Sequence, residues 1–184
     1  MSILSFQDAI CTVEQILSLS LGGEVKVTHH TEVDEFVIDA IHRIDNLLFR
    51  EELRYSRDEV SDMCNKAGFF CLLVYLDGVV VAYDFGFDTS TGVFFSDSTA
   101  TLIERKGIGT FLAVLELVFL YERGYQKISF KTEELDQAGR PLREIWEKRG
   151  YKPVSSDEQG ITMELEITKL VVKDRINRYI LDNH

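Results

Sequence analysis

Only two prolines interrupt the chain, and no stretch is biased toward Gly, Ser or Pro strongly enough to act as a linker. A single-domain reading over residues 1–184 follows. Long apolar runs are also missing. Phe69–Leu76 and Phe111–Leu120, the latter broken by Glu116, fall well short of the roughly 20 residues a membrane span needs. The start carries no basic region ahead of an apolar stretch, so no secretory signal is expected. Cysteine is scarce as well. Cys11, Cys64 and Cys71 are odd in number and widely spaced, which fits reduced thiols in a cytoplasmic protein rather than a disulfide framework. Cys71 lies in an apolar run and reads as core.

Positive charge is the last scarcity. The net charge is −11, whereas a free-standing nucleic-acid binder normally carries the opposite sign, so no nucleic-acid partner is expected. Residues 169–184 carry +2, from Lys169, Lys173, Arg175 and Arg178 against Asp174 and Asp182, so everything before them carries −13. Acids concentrate in 24–62, a solvated surface or a field that attracts a cationic substrate. What is present is the material of a folded domain: 45% hydrophobic and 28% charged residues rule out disorder.

The first 22 residues place Ile10, Val13, Ile16, Leu17 and Leu21 at near-helical spacing, predicting a peripheral helix within 1–24, and Val25–Thr28 predicts a short strand. Val33, Phe36, Val37, Ala40, Ile41, Ile44, Leu47 and Leu48 repeat at three and four, so they share one face of a helix, with Thr31 and Asp34 as its capping box. Ser56 and Glu59 begin a second helix that Gly68 stops. The period then changes. Phe69–Leu76, Asp77-Gly78 and Val79–Phe87 spell a hairpin, because both turn residues tolerate positive φ. After a turn at Asp88–Gly92, Val93–Ile103 adds a third antiparallel strand. A helix over Phe111–Arg123 is apolar almost all round, apart from Glu116 and a polar end, so it is buried on two sides. A strand over Tyr125–Lys131, a helix over Pro141–Arg149 and strands over Tyr151–Val154 and Ile161–Thr168 complete an α/β (α+β) core.

The chemistry lies where the third strand gives way to the buried helix, at Glu104-Arg105-Lys106-Gly107-Ile108-Gly109-Thr110. Two glycines allow close backbone approach, the first-turn amides have no internal partners, and the helix dipole is positive there. With Arg105 and Lys106 these make an anion site suited to a pyrophosphate. The spacing is neither a P-loop nor the three-glycine dinucleotide fingerprint.

That loop, the order of elements on both sides and Ile145-Trp146-Glu147-Lys148-Arg149-Gly150-Tyr151 together resemble the GCN5-related N-acetyltransferase (GNAT) family over residues 25–168. The resemblance implies a central mixed, mostly antiparallel sheet flanked by helices, with a V-shaped splay between the fourth and fifth core strands. It implies acetyl-CoA as cosubstrate, held by Arg105, Lys106, Gly107, Ile108, Gly109 and Thr110, with its pantetheine arm along Leu102 and Ile103 and Trp146 over it. The implied reaction is direct transfer of an acetyl group to a primary amine of a small cationic molecule or protein.

Two positions depart from the family pattern. Glu104 stands where a Gln or Arg is usual, so its side chain is expected to point away from the phosphates. Trp146 stands where a general-acid Tyr is frequent, leaving Tyr83, Tyr121, Tyr151 or water as proton donor. Asp97 is the leading candidate for the base, with Asp84 next and Ser96 or Ser98 as relays. A non-catalytic CoA-binding module of the same fold is the alternative, and a bare interaction protein a third reading. No metal is expected: His29 and His30 are adjacent on a strand and point to opposite faces, and His42 lies on the polar side of its helix. The basic segment 169–184 sets Val172, Ile176, Tyr179 and Ile180 at helical spacing, for packing on its own domain or on a second copy in a homodimer, and is too weakly basic for a membrane surface.

Overall fold

The computed structural model describes residues 3–51, 54–135, 139 and 141–182. Met1, Ser2, Glu52, Leu53, Asn183 and His184, which fall in segments treated above, lie outside the described residues. In chain order the elements are α1 (Phe6–Leu21), β1 (Val25–His30), α2 (Glu35–Leu48), α3 (Arg57–Cys64), β2 (Phe70–Leu76), β3 (Val79–Ser90), β4 (Val93–Thr101), α4 (Ile108–Glu122), β5 (Lys127–Thr132), α5 (Leu142–Lys148), β6 (Lys152–Asp157), β7 (Gly160–Glu166) and α6 (Lys169–Ile176). A π-helical turn at Asn177–Leu181 follows α6.

The strands form one sheet in the order β1-β2-β3-β4-β5-β7-β6, antiparallel throughout except at the β4–β5 junction. That junction is parallel because α4 carries the chain back across the sheet between the two strands. It is also short: only Val93, Phe94 and Phe95 pair with Lys127, Ile128 and Ser129. Beyond Phe95 the two strands part, which is the V-shaped splay of a GNAT-like sheet.

Each face of the sheet carries its own core. On one face the apolar stripe of α1 (Phe6, Ala9, Ile10, Val13 and Leu17) packs with α4 and with Val172, Ile176 and Ile180 of the C-terminal segment. On the other, α2 and α3 bury Val37, Ile41, Ile44, Val60 and Met63 against Cys71, Leu73, Tyr83 and Phe85. Cys71 is fully buried. The Asp77-Gly78 turn has positive φ at both residues, as its hairpin demands. Ser56 and Glu59 form a reciprocal capping box. The start of α2 differs from expectation: Asp34 is itself the N-cap, accepting from the Val37 amide at 2.8 Å, and Thr31 lies in the bend before it. An Asp carboxylate three residues ahead of an amide reaches it directly, so Thr31 has no capping work to do.

One irregularity shapes the site. Phe85 pairs with Ser98 but Gly86 pairs with Ser96, so Asp97 is an extra residue in β4, a β-bulge. The bulge breaks strict alternation. Ser96 and Thr99 face α4, where Thr99 donates to Asp84, whereas Asp97 and Ser98 both face the α2–α3 side, where they meet Tyr55 and Tyr83. Gly86 permits the close approach: a Cβ there would lie 2.2 Å from the Phe95 carbonyl oxygen and 2.4 Å from the Phe94 ring. Gly86→Ala is therefore expected to cost about 1–3 kcal/mol or somewhat more, as overpacking does. Urea unfolding checks this, and a variant as stable as wild type would mean that the bulge yields freely.

Candidate functional site

A cleft of about 450 Å³ opens where β4 and β5 diverge. The helix α4 forms its floor, because the stripe Gly109, Thr110, Ala113 and Glu116 recurs at three- and four-residue spacing and so shares one face. Its upper end is the loop ahead of α4. There Arg105 and Gly107 adopt positive φ (59° and 76°), turning the chain sharply enough to aim the helix start into the cleft. The helix has no side-chain cap, and its first backbone bond runs from the Phe111 amide to the Gly107 carbonyl. The amides of Ile108, Gly109 and Thr110 are thus left at the positive end of the helix dipole without an intrahelical partner. Gly109 has open space where a Cβ would be. An anion held by these amides and by Arg105 fits this end of the cleft.

The wall opposite α4 is aromatic. Phe130, Trp146 and Tyr151 meet edge to face with centroids 4.5, 4.9 and 5.5 Å apart, and the Arg149 guanidinium lies 4.8 Å over the Trp146 ring. Trp146 is half-buried in the cleft wall rather than in the core, since α5 contributes no buried residue. Burial raises the Tyr151 hydroxyl pKa well above the usual range, and the nearby carboxyl of Glu116 pushes it the same way.

Of the sequence candidates, Asp97, Ile103, Arg105, Gly107, Ile108, Gly109, Thr110 and Trp146 line this cleft together. Leu102 and Lys106 do not. The Leu102 amide is tied to the Val81 carbonyl at 2.8 Å, continuing the β3–β4 ladder, and the Lys106 ammonium reaches back to the Ser20 carbonyl at 3.4 Å. Glu104 is exposed and takes no part in the wall. Among the alternative donors, Tyr151 is in the cleft, whereas Tyr83 is fully buried on the far face of the sheet and Tyr121 lies at the edge of the α4-side core. Asp84 is fully buried beneath the sheet rather than lining the cleft. His29 contacts Phe6 and Phe119 while His30 pairs with Thr28, and among the described residues no group of His, Cys, Asp and Glu converges to hold a metal.

Asp97 stands at a boundary. With Ser98, Thr99 and Lys131 it lines both the cleft and a larger basin of about 950 Å³, which Phe49, Arg54, Tyr55 and Glu59 wall from the α2–α3 side. The Tyr55 hydroxyl donates to Asp97 at 3.0 Å. Burial raises the Asp97 pKa, against the opposing pulls of the Tyr55 hydrogen bond and the Lys66 charge. Ser98 continues inward, with Tyr83 at 2.9 Å and, beyond it, the buried Asp45 bonded to the same tyrosine. Neither Tyr55 nor Asp45 is marked by a motif; their partners lie 42 and 38 residues away along the chain.

The acid-rich segment contributes less to this basin than its composition suggests. Asp34 caps α2, Glu35 and Asp39 bind Arg57, Asp45 is buried, and Glu59 completes the box on Ser56. Among the described acids of the segment, only Glu59 reaches the basin wall, opposite Arg54.

No protein-family model matches the chain, and no curated protein matches it in sequence. Solved structures do match in three dimensions. The ribosomal-protein-S18-alanine N-acetyltransferase of Escherichia coli is 14% identical with a TM-score of 0.61, over 77% of this chain and 94% of that one. The aminoglycoside 6'-N-acetyltransferase of Enterococcus faecium is 20% identical with a TM-score of 0.61, over 77% and 97%. The PaiA N-acetyltransferase of Thermoplasma acidophilum, solved with coenzyme A, is 12% identical with a TM-score of 0.58, over 77% and 99%. The fold expected from the sequence is the fold observed: a GNAT sheet with its splay.

Proposed function

We propose that this protein is an acetyl-CoA-dependent N-acetyltransferase that acts on a primary amine. One observation carries the reading: a single continuous cleft joins an uncapped, glycine-opened helix start to the point where β4 and β5 part. Acetyl-CoA supplies an activated acyl group as a thioester. Arg105 and the amides of Ile108, Gly109 and Thr110 suit its pyrophosphate, Ile103 and the unpaired edge of β4 suit its pantetheine arm, and Trp146 covers it. Lys106 and Leu102 flank this site without lining it. Asp97, shared between the cleft and the basin, takes a proton from an amine that enters from the basin. The acceptor is a small cationic molecule or a protein amino group, and the carboxylates of Asp97, Glu59 and Glu133 share the basin wall with Arg54, Lys66 and Lys131.

A non-catalytic CoA-binding module is the second reading, and Trp146 favours it, because the indole N–H is far too weak an acid to protonate a departing thiolate. Thermal shift followed by turnover separates the two. Acetyl-CoA at about 100 times its Kd should add about 2.7 kcal/mol to stability. Gly109→Trp, whose ring enters open space, should fold normally and lose that gain. CoA release with a polyamine, an aminoglycoside or peptides bearing free amino groups then establishes transfer. A wild type that shows no shift at millimolar acetyl-CoA sinks both readings, and a shift without CoA release leaves the binding module.

A further inference from the structure

Within α4, from Ile108 to Tyr121, Glu116 is the only charged residue, and it is 2% exposed. It lies on the cleft-facing stripe nine residues beyond Gly107, about 13 Å along the helix axis. An arm that lies along this stripe from the phosphate end therefore carries its terminal atom toward Glu116. A second observation marks the same spot. Ser96, the first residue of β4 beyond its pairing with β5, lines the cleft together with Glu116. A thioester bound with its acyl group at the apex of the splay would carry its sulfur beside this side chain. Among the described residues, Glu116 Oε1 has no hydrogen-bond partner, and neither does Oδ2 of the neighbouring buried Asp84.

We propose that Glu116 is the general acid of the reaction, the role that Trp146 vacates, and that Asp84 keeps it protonated; this rests on the transferase reading above. The groups facing Glu116 are Asp84 from β3, Ser96 from β4 and Tyr151 from the aromatic wall, with Arg149 and Arg175 near that tyrosine. Two carboxyls buried in one core, each with an oxygen left without a partner, pay heavily to ionise together, so the pair holds a proton at neutral pH. Burial and the Asp84 charge both push the Glu116 carboxyl upward, which strengthens its hold on that proton. The step balances. Asp97 takes the proton the amine sheds as the C–N bond forms. Glu116 gives its proton to sulfur as the C–S bond breaks, and the electron pair of that bond stays on sulfur. Glu116, now a carboxylate beside Asp84, recovers a proton from solvent after the cleft empties.

The test compares wild type, Glu116→Gln and Asp84→Asn with acetyl-CoA and the amine panel. Glu116→Gln should keep the thermal shift with acetyl-CoA, lose about a hundredfold or more in kcat and lose the alkaline limb of the kcat–pH profile. Asp84→Asn should keep the plateau but move that limb to lower pH, because removing a negative neighbour lets Glu116 ionise sooner. Infrared spectra of the unliganded protein give a readout independent of turnover: a protonated-carboxyl C=O band at neutral pH in wild type that loses intensity in Glu116→Gln. A Glu116→Gln enzyme with wild-type kcat and an intact alkaline limb overturns the proposal while the transferase reading stands. Absence of the infrared band does the same. A wild type that binds acetyl-CoA but releases no CoA with any amine overturns both. Should Glu116→Gln fail to fold, the shift of the limb in Asp84→Asn decides.

Discussion

Asp97→Asn is expected to lower kcat by about 10²- to 10⁴-fold while leaving the protein as stable as wild type or more so. The activity loss follows from position: Asp97 is a carboxylate on the wall shared by the cleft and the basin, and asparagine cannot accept the amine proton in the proposed reaction. The stability gain follows from burial, the largest influence on this group, which raises its folded pKa above the ordinary value. A carboxyl whose pKa is higher folded than unfolded binds its proton more tightly in the native state. Its contribution is fully present below the unfolded pKa and is lost as pH rises through the folded one. Asparagine removes that loss, so the variant gains on wild type at neutral pH. A functional group held at a stability cost behaves in this way. The same shift predicts that kcat/KM rises with pH through a range above that of ordinary carboxylates. Tyr55→Phe removes the hydrogen bond that favours the ionised form and should push this acid limb to still higher pH. Steady-state kinetics across pH, with thermal melts of the same variants, check the whole set. Unchanged kcat in Asp97→Asn would dismiss Asp97 as the base.

The largest stability effect is expected at Phe70. It is fully buried, stacked on Phe119 of α4 with centroids 4.0 Å apart, and meets Phe6 of α1 and Phe94 of β4 edge to face at 6.1 and 6.5 Å. One ring on β2 thus joins α1, α4 and β4. Phe70→Ala should cost about 3–5 kcal/mol, because both the transfer energy and the cavity count against it. For a chain of this length the melting temperature should fall by roughly 6–20 °C. Urea denaturation measures it. A loss under about 1.5 kcal/mol, well below the usual range for such a truncation, would mean that the neighbouring rings collapse into the space and that the cluster is less rigid than its geometry implies.

Features governed by local chemistry are readable in the sequence. The Asp77-Gly78 hairpin, the Ser56–Glu59 box and the glycine-opened start of α4 each need particular residues at fixed short spacing, and those residues are there. Element ends are less legible: the sequence pattern carries the third strand to Ile103 but it stops at Thr101, while its companion begins at Lys127 rather than Tyr125. Leu102 and Lys106 miss the cleft for a related reason. A loop's sequence states its charge and its glycines but not which side chains a turn at Arg105 throws outward. The bulge at Asp97 is invisible in the sequence, because it depends on Gly86, which lies beside it only once β3 and β4 have paired. Tyr55 and Asp45 escape for the same cause. Glu116 stands out as a charge in an apolar helix, but its partner Asp84 is 32 positions earlier and is brought to it only by the packing of α4 on the sheet.

The short β4–β5 junction has a consequence beyond the cleft. A sheet ordinarily confines unpaired peptide groups to its two outer strands, where they invite association with other chains. Here a third edge lies in the interior, along β4 beyond Phe95, walled by α4 beneath and by Trp146 and Tyr151 at the side. A slender, amide-bearing arm could bond along it as a surrogate strand. The feature that would be an aggregation hazard on the outside of the protein is, inside it, a row of backbone donors and acceptors that suits one narrow kind of chain.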